Sequence, residues 1–168
     1  ALAGWEPSDN GKLLAYLIQD GGSDWRTIKL LDVSSGKVLP DEIHWAKFTG
    51  ISWVGNSGFL YSRFPEPEKG QEFQSLNTGQ AVWFHKIGTP QSADRLVYAT
   101  PDRPKLGHGA QTRREGRDQA VQFGLGRRPV MARRTHRRVQ ILGQIGFGQI
   151  GQHVIYHRLA GGNLSDGF

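Results

Sequence analysis

Apolar residues along this chain fall in short runs separated by turn residues, the pattern of strands rather than of long amphipathic helices. Ser8-Asp9-Asn10-Gly11 is turn chemistry: Asp and Asn side chains bond their own backbone, and Gly accepts positive φ freely. Leu13-Leu14-Ala15-Tyr16-Leu17-Ile18 follows as a nearly continuous apolar run, which predicts a strand buried on both faces. Gly21-Gly22-Ser23 then turns the chain into Thr27–Val33, where Ile28 and Leu30 alternate with Thr27 and Lys29. Ser34-Ser35-Gly36-Lys37 is the next turn, and Val38-Leu39 begins a short edge strand that Pro40 is expected to stop. The pattern restarts with Ile51–Val54, a turn at Gly55-Asn56-Ser57-Gly58, and strands over Phe59–Phe64, Ala81–Ile87 and Arg95–Tyr98. Residues 65–80, with two prolines and Lys69-Gly70, read as a polar loop.

The turn-then-strand unit at Gly11 recurs at Gly58, an offset of 47 residues. Four strands per roughly 40–50 residues is the period of a β-propeller blade. Periodicity alone also admits a β-sandwich.

Composition divides the chain in two. Residues 1–107 carry 7 Lys and 4 Arg against 12 acidic residues, a net −1. Residues 108–168 carry 10 Arg and no Lys against 3 acidic residues, a net +7, so the overall charge of +6 belongs to the second segment. All five Trp lie at or before Trp83. The absence of cysteine removes disulfide and thiol chemistry. No apolar run approaches the roughly 20 residues of a membrane span, and a cytoplasmic location is expected, with the periplasm as the alternative. The start at Ala1-Leu2-Ala3, without Met, suggests a truncated or processed terminus.

Several motifs invite chemistry and fail on context. Gly146-Phe147-Gly148-Gln149-Ile150-Gly151 matches G-x-G-x-x-G, but too few residues follow it to complete a dinucleotide-binding βαβ unit. Arg127-Arg128, Arg133-Arg134 and Arg137-Arg138 could contact phosphates, yet no aromatic stacking platform is interleaved, so nucleic acid is not an expected partner. His153 and His157 share a face without a third ligand nearby, so no metal is expected. Ser23 and Ser57 lack the closing glycine of a G-x-S-x-G nucleophile elbow and read as turn residues. No catalytic residue and no cofactor are assigned.

Four phrases resemble a known family in order and spacing. They are Gly21-Gly22-Ser23-Asp24-Trp25, Lys47-Phe48-Thr49-Gly50-Ile51-Ser52-Trp53, Tyr61-Ser62-Arg63-Phe64-Pro65-Glu66-Pro67-Glu68, and Gly88-Thr89-Pro90-Gln91-Ser92 leading into Leu96-Val97-Tyr98. Together they look like the opening blades of the β-propeller domain of prolyl oligopeptidases, serine peptidases that cut short peptides after proline. Ser8-Asp9-Asn10-Gly11-Lys12 keeps that family's first turn without its proline. The resemblance runs from about Gly4 to about Gln111 and decides for the propeller. It implies an all-β chain: about two four-stranded blades in residues 1–107, then an irregular Arg/Gly-rich segment over 108–168 with a blade-like strand at 153–159. Residues 112–150 depart from the family as a shifted reading frame in G+C-rich DNA would.

The same resemblance implies that the catalytic serine, histidine and aspartate sit on an α/β-hydrolase domain, the expected partner of this propeller. Short proline-containing peptides would be its substrates. By resemblance, Asp24 occupies the position of an aspartate that faces the hydrolase domain, where it would pair with an arginine. Phe48 matches an aromatic residue lining the outer substrate pocket. For Asp24 a turn-capping role remains open, and for Phe48 core packing beneath Trp53. The rival to this whole reading is a small β-rich interaction module with a basic nucleic-acid-binding arm.

Overall fold

The computed structural model describes residues 1–19, 21–114, 137–145 and 155–159. The strands are β1 (Leu2–Pro7), β2 (Leu13–Gln19), β3 (Arg26–Asp32), β4 (Lys37–Ala46), β5 (Ser52–Val54), β6 (Gly58–Arg63), β7 (Ala81–Lys86), β8 (Arg95–Tyr98), β9 (Leu106–Arg114), β10 (Arg137–Ile145) and β11 (Ile155–Leu159). A 3-10 turn over Gln91–Ala93 precedes β8. β1 to β4 form one antiparallel meander and β5 to β8 a second, linked by a single backbone pairing of Ala46 with Arg63. β11, β10 and β9 form a third antiparallel sheet in that order. Four sequential strands per unit is blade architecture, and the expected all-β partial propeller is what the chain forms.

The turn between β1 and β2 shows why the sequence folds this way locally. Ser8 Oγ accepts the Leu13 N–H at 3.0 Å, Asn10 Oδ1 accepts the Lys12 N–H at 3.0 Å, and Gly11 takes φ 69°. The turn after β3 is held by Asp32, whose carboxylate accepts from the Ser34 hydroxyl and from the Ser35 N–H and hydroxyl. The Ser34 bond is the largest of the effects that lower its pKa to about 2.

Three expectations are corrected. β1 is a full strand that periodicity did not pick out. β4 does not stop at Pro40: its pairing with β3 jumps from Lys29↔Glu42 to Leu31↔Val38, so Leu39–Asp41 is absorbed as a bulge, where Pro owes no ladder hydrogen bond. The apolar run in β2 is buried on one face only, through Ala15 and Leu17, while Ile18 stays exposed. β9 also crosses the composition break at residues 107 and 108, so the change in residue usage is not a break in the sheet.

The core lies between the units. Ala15, Leu17, Ile28, Leu30, Ile43 and Ala46 of the first meander pack against Trp53, Phe59 and Tyr61 of the second. Leu60, Val82 and Phe84 pack in a separate cluster with Val97, Tyr98 and Ala110 of β9. Strand β6 therefore uses its two-residue alternation twice: Phe59 and Tyr61 face backward to the first meander, Leu60 forward to β9.

Polar groups lock the same seams. His85 is fully buried, with Nδ1 2.7 Å from Asp94 Oδ1 and Nε2 3.0 Å from Asp41 Oδ1. The Tyr61 hydroxyl donates to Asp94 Oδ2 at 2.6 Å and the Gly88 N–H to Asp41 Oδ1 at 2.6 Å. Burial first, then the Asp94 bond, drives the Tyr61 pKa far above its ordinary value. At the next seam the Ser62 hydroxyl donates to the His108 carbonyl at 2.6 Å, and the His108 N–H donates to Gln80 Oε1 at 2.7 Å.

Two stability predictions follow from these contacts. Tyr61→Phe keeps the ring but removes a donor from a buried carboxylate, so urea unfolding at neutral pH should show a loss of about 2 kcal/mol. A Cβ at Gly58 would sit 2.6 and 2.8 Å from Phe84 ring carbons and collide with the His85 carbonyl, so Gly58→Ala should cost about 3 kcal/mol in the same measurement.

Candidate functional site

The pairing Arg26↔Ala46 brings the start of β3 and the end of β4 to one end of the first meander. Residues 24–25 and 47–48, just beyond those ends, meet there. The Lys47 ammonium lies 3.9 Å from Asp24 Oδ2, 4.9 Å from the centre of the Trp25 ring and 5.3 Å from that of Phe48. Asp24 and Phe48, both singled out by sequence, thus share one cation. The sequence assigns Lys47 no role of its own, although its place beside Phe48 in the Lys47–Trp53 phrase is a signal.

The cluster is half built into the protein. The Lys47 side chain is only 12% exposed, so its methylenes are packed. Asp24 is 61% exposed on its side chain and Phe48 is 46% exposed. Phe48 is therefore not a fully buried core residue. With the carboxylate mostly exposed and the separation 3.9 Å, this ion pair stabilises little, on the order of 0–1 kcal/mol.

The backbone under the cluster is strained. Trp45 (φ 62°) and Phe48 (φ 52°) occupy the left-handed region, which costs a bulky residue about 1–3 kcal/mol. The surroundings over-determine it. The Phe64 N–H donates to the Trp45 carbonyl at 3.2 Å, Gln80 Nε2 to the Lys47 carbonyl at 2.9 Å, and the Ser62 N–H to Thr49 Oγ1 at 2.8 Å. Trp25 packs edge-on to Trp45 and Phe64 at 5.6 and 6.2 Å, and its indole N–H donates to the Glu72 carbonyl at 2.6 Å. That last bond ties the polar 65–80 loop over the cluster. The strained segment that presents Phe48 is thus held by hydrogen bonds from three surrounding segments.

The other sequence candidates stand apart. Ser23 Oγ accepts the Trp25 N–H at 3.0 Å and Ser57 Oγ donates to the Val54 carbonyl at 3.2 Å, so both are turn residues. The glycine motif 146–151, His153, Arg127-Arg128 and Arg133-Arg134 lie outside the described residues. Arg137 and Arg138 open β10, where Arg138 stands opposite both Arg113 and Arg158, and His157 on β11 stands opposite Val139. Among the described residues no group of three or more His, Cys, Asp or Glu is placed to hold a metal ion. No described helix is long and apolar enough to cross a membrane.

Sheets of this order, stacked face to face and presenting strained loops at one end, define a partial β-propeller. Residues 1–121 match the family model of the prolyl oligopeptidase N-terminal β-propeller domain, and the chain belongs to that family. It is 39% identical over 110 residues to the prolyl endopeptidase of Elizabethkingia meningoseptica, across 66% of this chain and 16% of that protein. It is 34% identical over 123 residues to the dual function macrocyclase-peptidase POPB of Galerina marginata, across 66% of this chain and 17% of that protein. A solved prolyl endopeptidase superposes with TM-score 0.63 at 42% identity, covering 95% of this chain and 21% of its own. Prolyl oligopeptidase B from Galerina marginata shares the fold at TM-score 0.62 and 20% identity, covering 94% of this chain and 22% of its own. The chain thus spans about one sixth of the length of the curated relatives it matches.

Lys47→Met, which keeps the packed stem and removes the charge, should cost about 0.5–1 kcal/mol by urea unfolding. Lys47→Ala, which also loses the stem, should cost visibly more; equal losses would mean that the stem contributes nothing.

Proposed function

We propose that this chain serves as the gating propeller of a serine endopeptidase that hydrolyses short peptides on the carboxyl side of proline. The match to the propeller family over residues 1–121 carries this reading. The placement of Asp24 and Phe48 on one exposed, strained end of the first meander supports it. The sequence has no G-x-S-x-G elbow, so the acyl-transfer chemistry would be supplied by an α/β-hydrolase domain, in which histidine and aspartate activate a serine.

Each exposed group then has a role. Asp24, loosely held by Lys47, would turn its carboxylate to a guanidinium of the hydrolase domain, where a bidentate pair orients both partners. Phe48 would offer a flat ring to the peptide chain or to a proline ring, worth about 0.5–1.5 kcal/mol as a stacked contact. The propeller's stacked sheets would admit short flexible peptides and exclude folded proteins.

A chimera tests this. Residues 1–110 of this chain would replace the matching region of the Elizabethkingia meningoseptica prolyl endopeptidase, and cleavage of a glycyl-prolyl fluorogenic peptide would be followed. The chimera should cleave after proline, and Phe48→Ala within it should raise KM about three- to tenfold for peptides extended on the amino side, with kcat little changed. A folded chimera without cleavage would defeat the proposal, and an unchanged KM would remove Phe48 from the pocket.

A further inference from the structure

Where the two meanders meet lies a cluster of ionisable groups that takes no part in the Asp24–Lys47–Phe48 arrangement. Both ring nitrogens of His85 point at carboxylate oxygens, Asp94 Oδ1 at 2.7 Å and Asp41 Oδ1 at 3.0 Å. An ionised carboxylate only accepts, and a neutral imidazole carries one N–H. A neutral ring would therefore satisfy one contact and press a bare lone pair against the other, in a site closed to water. An imidazolium satisfies both at once.

Each carboxylate also accepts one further hydrogen bond. Tyr61 from β6 donates to Asp94, and the Gly88 N–H donates to Asp41. The charged and titratable groups facing the ring are Asp41 from β4, Asp94 from the cap of the 3-10 turn and, beyond it, Tyr61, on which Arg63 of the same strand acts. The Phe59 ring, 5.3 Å away, supplies an apolar wall.

We propose that Asp41, His85 and Asp94 form a proton-held latch: one imidazolium fastens β4 of the first meander to β7 and the 3-10 turn of the second, and loss of its proton loosens that grip. The grip extends along β4. Gln91, in the same 3-10 turn, accepts the His44 N–H on Oε1 and donates from Nε2 to the His44 carbonyl, both at 3.0 Å. The next residues are Trp45 to Phe48, with their strained backbone. Releasing the latch therefore loosens the support of the Phe48 segment. The latch stands whether or not the chain gates a peptidase.

The direction in pH follows from the partners. Burial pulls the His85 pKa down, but the hydrogen bonds and charges of Asp94 and Asp41 more than reverse it, leaving it above the ordinary histidine value. A raised pKa stabilises the fold fully below the ordinary value and loses that contribution as pH climbs through the raised one. His108 is the opposite case: burial, with the nearby Arg103 charge, lowers its pKa, so its neutral ring costs stability as pH falls. The latch accordingly opens on the alkaline side.

Nitrogen-15 histidine NMR of the full chain, followed from mildly acidic to alkaline pH, tests this. His85, one of six histidines, should show both ring nitrogens protonated through neutrality. Backbone amides of Asp41–Phe48 should shift in step with its deprotonation. Asp41→Asn and Asp94→Asn should each weaken proton binding about tenfold, ~1 pKa unit, while Asp32→Asn should not change it. A single protonated ring nitrogen at mildly acidic pH, or a titration that leaves the β4 amides still, would overturn the latch. If a variant fails to fold, the titration of the unsubstituted chain still decides.

Discussion

Neither four-stranded meander can bury a face by itself, so each depends on the unit one repeat further along the chain. The hydrogen bonds across the seam record that dependence in their sequence separation. The Trp53 indole N–H donates to the Glu6 carbonyl, the Gly88 N–H to Asp41, and Gln91 brackets the His44 backbone, all between residues 47 apart. The Asn10 N–H donates to Asn56 Oδ1, and Ser62 to the His108 carbonyl, at 46. A rigid step from one unit to the next places equivalent positions side by side, and 47 is also the offset at which the turn of Gly11 recurs at Gly58.

The seam combines two kinds of cohesion. The apolar share, from Ile28, Leu30 and Ile43 to Phe59 and Tyr61, is non-directional and would tolerate sliding. The buried Asp41–His85–Asp94–Tyr61 chain is directional, and it makes little sense as a source of net stability because burying charges costs several kcal/mol per ion. Its effect is to fix register. It holds β4 against the 3-10 turn, and β4 runs straight into the strained Trp45–Phe48 segment. One strand thus serves both places: Asp41 in its middle lies in the closed seam, and its far end runs into the exposed Phe48 segment.

Much of this was legible in the sequence. β2, β3 and β5 to β8 announce themselves through short apolar runs bounded by Gly, Asn and Ser turns, and the repeat is compatible with stacked blades, which the family resemblance chose over a sandwich. Asp24 and Phe48 were found by resemblance, and the structure places both beside one lysine. Less was legible where a local rule was outvoted. Pro40 reads as a strand end, but a bulge opposite Leu30 spares the ladder the missing N–H. The run Leu13–Ile18 reads as doubly buried, yet only one of its faces meets a second sheet among the described residues. β10 begins with two arginines, which hide the alternation of Val139 and Ile141 behind them.

Local chemistry sufficed to determine which segments are strands, where they turn, how often the unit repeats, and that the blade is built from β-structure alone. Those properties depend on residues within a few positions of each other, so they survive in a linear string. What only the tertiary structure decided is which groups meet: His85 between Asp41 and Asp94 across the seam, and Lys47 between Asp24 and Phe48 at one end of the first meander. In the sequence His85 is one polar residue in an apolar strand, and nothing near it announces two carboxylates, one of them 44 positions away. Burial in a closed seam turns that single residue into a proton-bearing joint, and burial is a property of the packed units rather than of any one of them.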